Sequence, residues 1–276
     1  MSHLNNSLNQ TQKYIMEIVK PVLQIAEKLN VICWMQGGTM LGAIRHHGFI
    51  PWDDDIDIGM YRDDYEYFIQ EVEKYLPEYL ELRTYWDTSD HHYYFARIVD
   101  TRHVIQRLGS VESREENIWV DIFPLDGMPN NALSRYIHMA RLSIARLLYH
   151  LSSIEKVNVR RPGRPFLETI VIRIALRFRP ILKMNTASRL NHIDFLLKKY
   201  STKNSKWIIN FMGQTSFKYT EMIEKRIYGS GRLYDFEDVS MNGPEDYDAY
   251  LRSLYGDYMI PPKDDEKNVH VSRLIK

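Results

Sequence analysis

A single cysteine, Cys33, leaves this chain of 276 residues without an intramolecular disulfide framework. Cys33 lies in the apolar run Val31-Ile32-Cys33-Trp34-Met35, where a buried, inert thiol is expected rather than a nucleophile. No stretch approaches the ~20 apolar residues of a membrane span. The opening MSHLNNSLNQ is polar and shows no secretory pattern. Internal repeats and low-complexity tracts are missing as well. These absences make a cytoplasmic protein the expectation. The length admits one large domain, or one domain with a substantial insertion, and 44% apolar residues suffice for a core.

Net charge is absent too, since 36 basic and 36 acidic residues cancel. The balance hides an asymmetry. Residues 1–131 hold 11 basic and 21 acidic residues, or −10; residues 132–206 hold 16 and 3, or +13; residues 207–276 hold 9 and 12, or −3. An acidic core (1–131), a basic helical insertion (132–206) and a C-terminal part completing the core domain (207–276) are the expected divisions.

What is present concentrates between Gln36 and Met60. Gly37-Gly38 follows the apolar run and leads into a short helical pattern at Thr39-Met40-Leu41. A backbone turning there into a helix aims N–H groups at a ligand above it, a common phosphate site. Arg45 near the end of that helix would add a fixed cation. Asp53, Asp54, Asp55 and Asp57 then arrive within five residues. Asp55-Ile56-Asp57-Ile58-Gly59-Met60 alternates as a half-buried strand, with both carboxylates on one face. So close a pair repels unless a cation intervenes, and hard oxygen ligands favour Mg²⁺ or Mn²⁺ over zinc. A calcium-binding EF-hand is excluded, because Ile58 stands where that loop requires glycine.

A helix with a kink or boundary at Pro21 is expected over 9–29, and an amphipathic helix over Tyr61–Leu76. Arg62 is a candidate phosphate contact, as is Arg97 on a strand read at Tyr93–Val99. His91-His92 reads as a loop tip. In Trp119-Val120-Asp121-Ile122-Phe123, Asp121 stands on an otherwise apolar strand face, where it needs a cation. That makes it the third carboxylate of the site, while Asp126 reads as a turn residue. The basic middle carries two amphipathic patterns. One places Leu133, Tyr136, Ile137, Ala140, Ile144, Leu147, Leu148 and Leu151 on one stripe. The other runs from Phe166 to Ile181. They form either a helical subdomain with a solvated basic face or a surface that meets anionic lipid. No nucleic-acid motif accompanies the charge. Strand, loop and helix are expected at Trp207–Phe211, Gly229–Gly231 and Glu245–Tyr255.

The stretch GGTMLGAIRHHGFIPWDDDIDIGM closely resembles the signature of the LicD family. That family comprises nucleotidyltransferase-fold phosphotransferases, among them bacterial phosphocholine transferases, related to fukutin-type ribitol-phosphate transferases. The resemblance recurs at Trp119–Gly127 and at Leu254–Met259. It implies an α/β fold with a small mixed sheet, of the nucleotidyltransferase type, flanked by helices. It further implies transfer of a substituted phosphate, such as phosphocholine, from a CDP-linked donor to a hydroxyl of a cell-surface glycan or its lipid-linked precursor. Lipopolysaccharide and teichoic acid are acceptors of that kind. Asp55, Asp57 and Asp121 would hold Mg²⁺, with Asp121 also a base. Gly37, Gly38, Thr39 and Arg45 would cradle the donor phosphates, and Arg62 and Arg97 would contact substrate. Peripheral contact with the inner face of the membrane is an expectation carried by the basic amphipathic patterns and not by the resemblance, and nucleic acid is not expected. Two other classes stay open: a nucleotidyltransferase moving NMP from an NTP, and a non-catalytic membrane-surface adaptor.

Overall fold

The computed structural model describes residues 8–86, 93–108, 114–152, 177, 185–211, 221–262 and 271–275. Helix α1 (Gln10–Lys28) starts at Asn9, whose side chain accepts from the Gln12 N–H while the Gln12 side chain accepts from the Asn9 N–H. This reciprocal cap satisfies two otherwise orphaned donors. The apolar stripe Ile15, Ile18, Val19, Val22, Ile25 and Ala26 is buried in the main core. Pro21 lies inside this single helix and marks no boundary. The carbonyl that loses its helical donor, four residues back, belongs to Glu17, an exposed residue on the solvent side of the helix.

The sheet is mixed. Its strands are β1 (Trp34–Met35), β2 (Asp57–Tyr61), β3 (Leu80–Arg83), β4 (Ala96–Leu108), β5 (Arg114–Met128), β6 (Trp207–Ile209), β7 (Met222–Glu224), β8 (Arg232–Phe236), β9 (Val239–Gly243) and β10 (Val271–Leu274). The main path runs β10-β4-β5-β2-β1-β9-β8, with β3 on β4, β6 on β5, and β7 on β6. β2 runs parallel to β5, and β1 parallel to β9; the other pairings are antiparallel. The helices are α1, α2 (Gly37–His46), α3 (Arg62–Glu71), α4 (Ala132–Ser152), α5 (Thr186–Leu197), α6 (Lys225–Tyr228) and α7 (Tyr247–Tyr255). This is a mixed α/β fold with helices flanking a central sheet.

Two hydrophobic clusters form. The larger packs α1, α2 and α3 on the sheet; the second joins α4 and α5 to the ends of β5 and β6 through Met128, Met139, Leu142, Tyr149, Leu190, Ile193 and Ile209. Strand β5 serves both, pairing with β4 and β2 along its length and with β6 at Asp126–Met128.

Several boundaries differ from those expected. β2 begins at Asp57, so Asp55 precedes the ladder, although Ile56 still accepts from the Asp121 N–H at 3.1 Å. The helix after β2 ends at Glu71 and tightens into a 3₁₀ turn over Val72–Lys74. β4 starts at Ala96, β6 stops at Ile209, and α7 starts at Tyr247 because Asp246 caps it by accepting from the Ala249 N–H. Asp126 is a strand residue, not a turn: its backbone pairs with Ile209 and its buried carboxylate meets Arg62.

The larger surprise is α4. Its inward face is Met139, Leu142, Ala145 and Tyr149, whereas Leu133, Tyr136, Ile137, Ile144 and Leu147 are exposed. Apolar residues thus occupy both sides of the helix, and periodicity alone cannot choose the packed one. His91-His92 and, apart from Arg177, the amphipathic pattern at Phe166–Ile181 lie outside the described residues. Among the described residues, no helix is long and apolar enough to cross a membrane.

Candidate active site

The site forms where β1 turns into α2. Gly37 adopts a left-handed φ of 45°, which favours glycine, and α2 starts on it. Buried Gln36 locks the turn. Its amide donates to the carbonyls of Trp34 and Met35, and its carbonyl accepts from the hydroxyls of Tyr228 at 3.0 Å and Tyr250 at 3.4 Å. The Gly37 N–H donates to the Tyr250 hydroxyl at 3.0 Å. One of the helix's first donors is therefore already taken by the protein. The Asp53 carboxylate lies against Gly38, where a side-chain methyl would come within 3.1 Å of Oδ2.

β2 and β5 are adjacent and parallel, and their register sets Asp57 directly beside Asp121. Thr39 positions the first of these, since its Oγ1 accepts from the Asp57 N–H at 2.9 Å. Desolvation, then repulsion from Asp55, Asp121, Glu221 and Asp53, pushes the Asp57 carboxyl well above the usual carboxylate range. Asp121 is raised chiefly by burial, although Arg97 pulls it down. Arg97 faces it across the β4–β5 ladder and donates from Nε to Oδ1 at 2.6 Å. Tyr93 and Trp119 flank the Arg97 guanidinium, with ring centroids at 4.0 and 4.4 Å.

The remaining expected contacts are engaged differently. Arg45 donates to the Tyr258 carbonyl at 2.9 Å and from Nε to His46. Arg62 is buried and makes a two-pronged contact with Asp126, 2.7 Å on each arm, adding Tyr94 and Asp194. Asp57, Asp121, Thr39, Gly37, Gly38 and Arg97 are thus brought to one end of the sheet. Arg62 stands in a separate ion-pair network.

The C-terminal tyrosines, Tyr250 and Tyr255 among them, read from the sequence as packing residues of which some could line a pocket. The structure sets these two beside the α2 start, whereas sequence reasoning passed over Glu221. The Tyr255 hydroxyl lies beside Gly37, 3.4 Å from where a Cβ would stand, and its pKa is raised by burial, then by Glu221, Asp57, Asp53 and Asp55. Its signal was the third matching motif, Leu254–Met259. Glu221 is pushed up to about 7 by burial, partly opposed by Arg146. No motif surrounds Glu221, so nothing in the sequence marked it.

A crowd of hard carboxylate oxygens whose protonation is favoured by mutual repulsion is a donor set suited to Mg²⁺ or Mn²⁺. As placed, no three His, Cys, Asp or Glu side chains among the described residues enclose a metal position. Arg97 holds one oxygen of Asp121 instead.

A parallel strand pair presents adjacent carboxylates beside a Gly-Gly helix start, within a mixed α/β architecture of the nucleotidyltransferase-like kind. Residues 30–141 match the family model described as LicD/FKTN/FKRP, nucleotidyltransferase domain. The chain carries a domain of this LicD family, and its activity is phosphotransfer of the general LicD kind. It is 28% identical over 275 residues to the lipopolysaccharide cholinephosphotransferase LicD of Haemophilus influenzae, covering 96% of each chain. Over 48 residues it is 44% identical to the human ribitol 5-phosphate transferase FKRP, which covers 17% of this chain and 10% of that protein. An uncharacterised protein of Rickettsia prowazekii, RP689, is 39% identical over 66 residues, 24% of this chain and 23% of that one.

Proposed function

We propose that this enzyme transfers a substituted phosphate, such as phosphocholine, from a CDP-linked donor to a hydroxyl of a cell-surface glycan or its lipid-linked precursor. The observation that carries the reading is the side-by-side placement of Asp57 and Asp121 next to the α2 start. The near-full-length similarity to a lipopolysaccharide cholinephosphotransferase supports the choice of donor class.

Asp57 and Asp121, with Asp55, would hold Mg²⁺ or Mn²⁺. When bound, the ion offsets charge on the donor phosphates and on the departing nucleotide. The first turn of α2 at Gly38 and Thr39 receives a donor phosphate. Thr39 keeps Asp57 in place, and Arg97 restrains the orientation of Asp121. Asp121, its carboxyl raised by burial and pulled back by Arg97, takes the proton of the acceptor hydroxyl. The acceptor oxygen forms its bond to the phosphorus of the substituted phosphate. The bond from that phosphorus to the CMP oxygen breaks, and CMP leaves with the electron pair.

The test is incubation with CDP-choline, CDP-ribitol or CDP-glycerol and a divalent ion, monitored for CMP. The expected result is metal-dependent CMP release from one donor. Release of pyrophosphate from an NTP, with no CMP from any CDP donor, would replace this reading with NMP transfer.

A further inference from the structure

We infer that Tyr255 is a substrate-contacting residue of this site, its hydroxyl donating a hydrogen bond to the donor phosphate received at the start of α2. The role rests on the phosphotransfer proposed above. Glycine at position 37 leaves a space where a side chain would stand, and two polar atoms border it. The Tyr255 hydroxyl lies 3.4 Å from the position a Cβ would take, and Asp57 Oδ2 lies 3.9 Å from it. One residue on, the space over Gly38 is bordered by Asp53 Oδ2 at 3.1 Å. Helix α7 is anchored by buried Tyr250 and Leu251, and Tyr255 follows one turn after Leu251. Glu221, Asp57, Asp53 and Asp55 all bear electrostatically on its phenol. Even so, that hydroxyl makes no hydrogen bond to another of the described residues. Tyr255 itself is 45% exposed, so solvent and ligands reach it.

The neighbouring tyrosines set Tyr255 apart. Tyr228 and Tyr250 both direct their hydroxyls at Gln36, and Tyr250 also accepts from the Gly37 N–H. The start of α2 thereby loses a donor that would otherwise serve an anion. Tyr255 stands over the same glycine with an O–H to replace it. The arginines marked by the sequence are committed elsewhere: Arg45 to the Tyr258 carbonyl and His46, Arg62 to Asp126, Arg97 to Asp121. A phenol titrates near pH ~10 even before burial raises it, so it keeps its proton at neutral pH and can donate to an oxygen anion. A space ringed by acids repels a phosphate unless a cation and a neutral donor share it. Asp57 would hold the cation on one side, and Tyr255 supplies the donor on the other.

The experiment compares the full chain with Tyr255→Phe, which removes one oxygen and keeps the ring. Calorimetric titrations use Mg²⁺ alone, then inorganic pyrophosphate and CDP in the presence of Mg²⁺. The expected result is an unchanged melting temperature and an unchanged Mg²⁺ affinity. Pyrophosphate and CDP should each bind at least about tenfold more weakly, the worth of a hydrogen bond to a charged group. Equal binding of both anions by parent and variant overturns the inference, as does a parent that binds neither. A parallel loss of Mg²⁺ affinity overturns it too, since Tyr255 would then support the acids and not touch phosphate. Tyr250→Phe, which strips the hydroxyl from the Gln36–Gly37 turn, serves as the structural comparison. A Tyr255→Phe variant that melts as early as Tyr250→Phe would place Tyr255 among the structural hydroxyls and overturn the inference. CMP release is scored separately. If no CDP donor is turned over but Tyr255→Phe still loses anion affinity, the transfer reading fails and the phosphate contact stands. CMP release with unaltered anion binding leaves the transfer reading standing without Tyr255.

Discussion

At the scale of single residues, Asp57 is the most informative side chain. Its folded carboxyl holds its proton well above the ordinary range, so the folded state binds more protons than the unfolded one above pH ~4. Stability without metal therefore falls as pH rises through that window, and is fully present only below it. Asp57→Asn removes the liability: its melting temperature without metal should match or exceed the parent at pH 7, with the gap closing near pH 4. Turnover should fall by roughly a thousandfold, the worth of several kcal/mol of transition-state stabilisation. Scanning calorimetry over that range, together with CMP release, checks both. Near-normal turnover would remove Asp57 from the site. This residue was legible because strand alternation and the Asp-x-Asp spacing are local. Tyr250 was not, because its role depends on a contact with Gly37 across 213 residues of sequence.

Among the elements, α4 shows why a helix can be foreseen and its orientation missed. A stripe of leucine, isoleucine and tyrosine was plain in the sequence. The stripe that packs is led by the less conspicuous Met139, Leu142 and Ala145, and includes His138. His138 is buried, neither ring nitrogen has a hydrogen-bond partner among the described residues, and its pKa is lowered to about 4 by burial, then by Lys199 and Arg141. Here the unfolded state binds the extra proton. Stability is fully present above pH ~6.5 and is lost as pH falls towards ~4. His138→Leu should flatten that slope in denaturant titrations between pH 4 and 7.5. An unchanged slope would mean that another group controls it. The strand Trp119–Phe123 was foreseen because its alternation is clean. Asp126 was misread because Pro124 and Gly127 imitate a turn, while the register with β6 keeps the chain extended.

Over the whole molecule, the two hydrophobic clusters are tied by ion pairs as well as by β5. Arg62 at the start of α3 grips Asp126 on β5 and reaches Asp194 on α5, while Tyr94 donates to Asp194 at 2.7 Å. Removing one member of a buried pair leaves an uncompensated charge, at about 3–5 kcal/mol. Arg62→Met should destabilise by that order in urea titrations, whereas Arg62→Met with Asp126→Leu should recover most of the loss. A double variant as unstable as the single would show that the arginine matters through packing alone. A mixed α/β fold was readable from alternating helix and strand patterns. The strand order was not, because β1 pairs with β9 and β10 with β4 over separations that no local pattern encodes.

The lock formed by Gln36, Tyr228 and Tyr250 bears on how the enzyme comes into being. Residues from the first seventh of the chain are held by tyrosines from its last fifth, and β1 must wait for β9 before that flank of the sheet closes. During synthesis from the N-terminus, Asp57 emerges long before the tyrosines that fix the neighbouring turn. Until Tyr228 and Tyr250 have emerged, the Gln36–Gly37 turn beside Asp57 lacks the hydroxyls that hold it. That turn is therefore fixed late, after Tyr250 has cleared the ribosome.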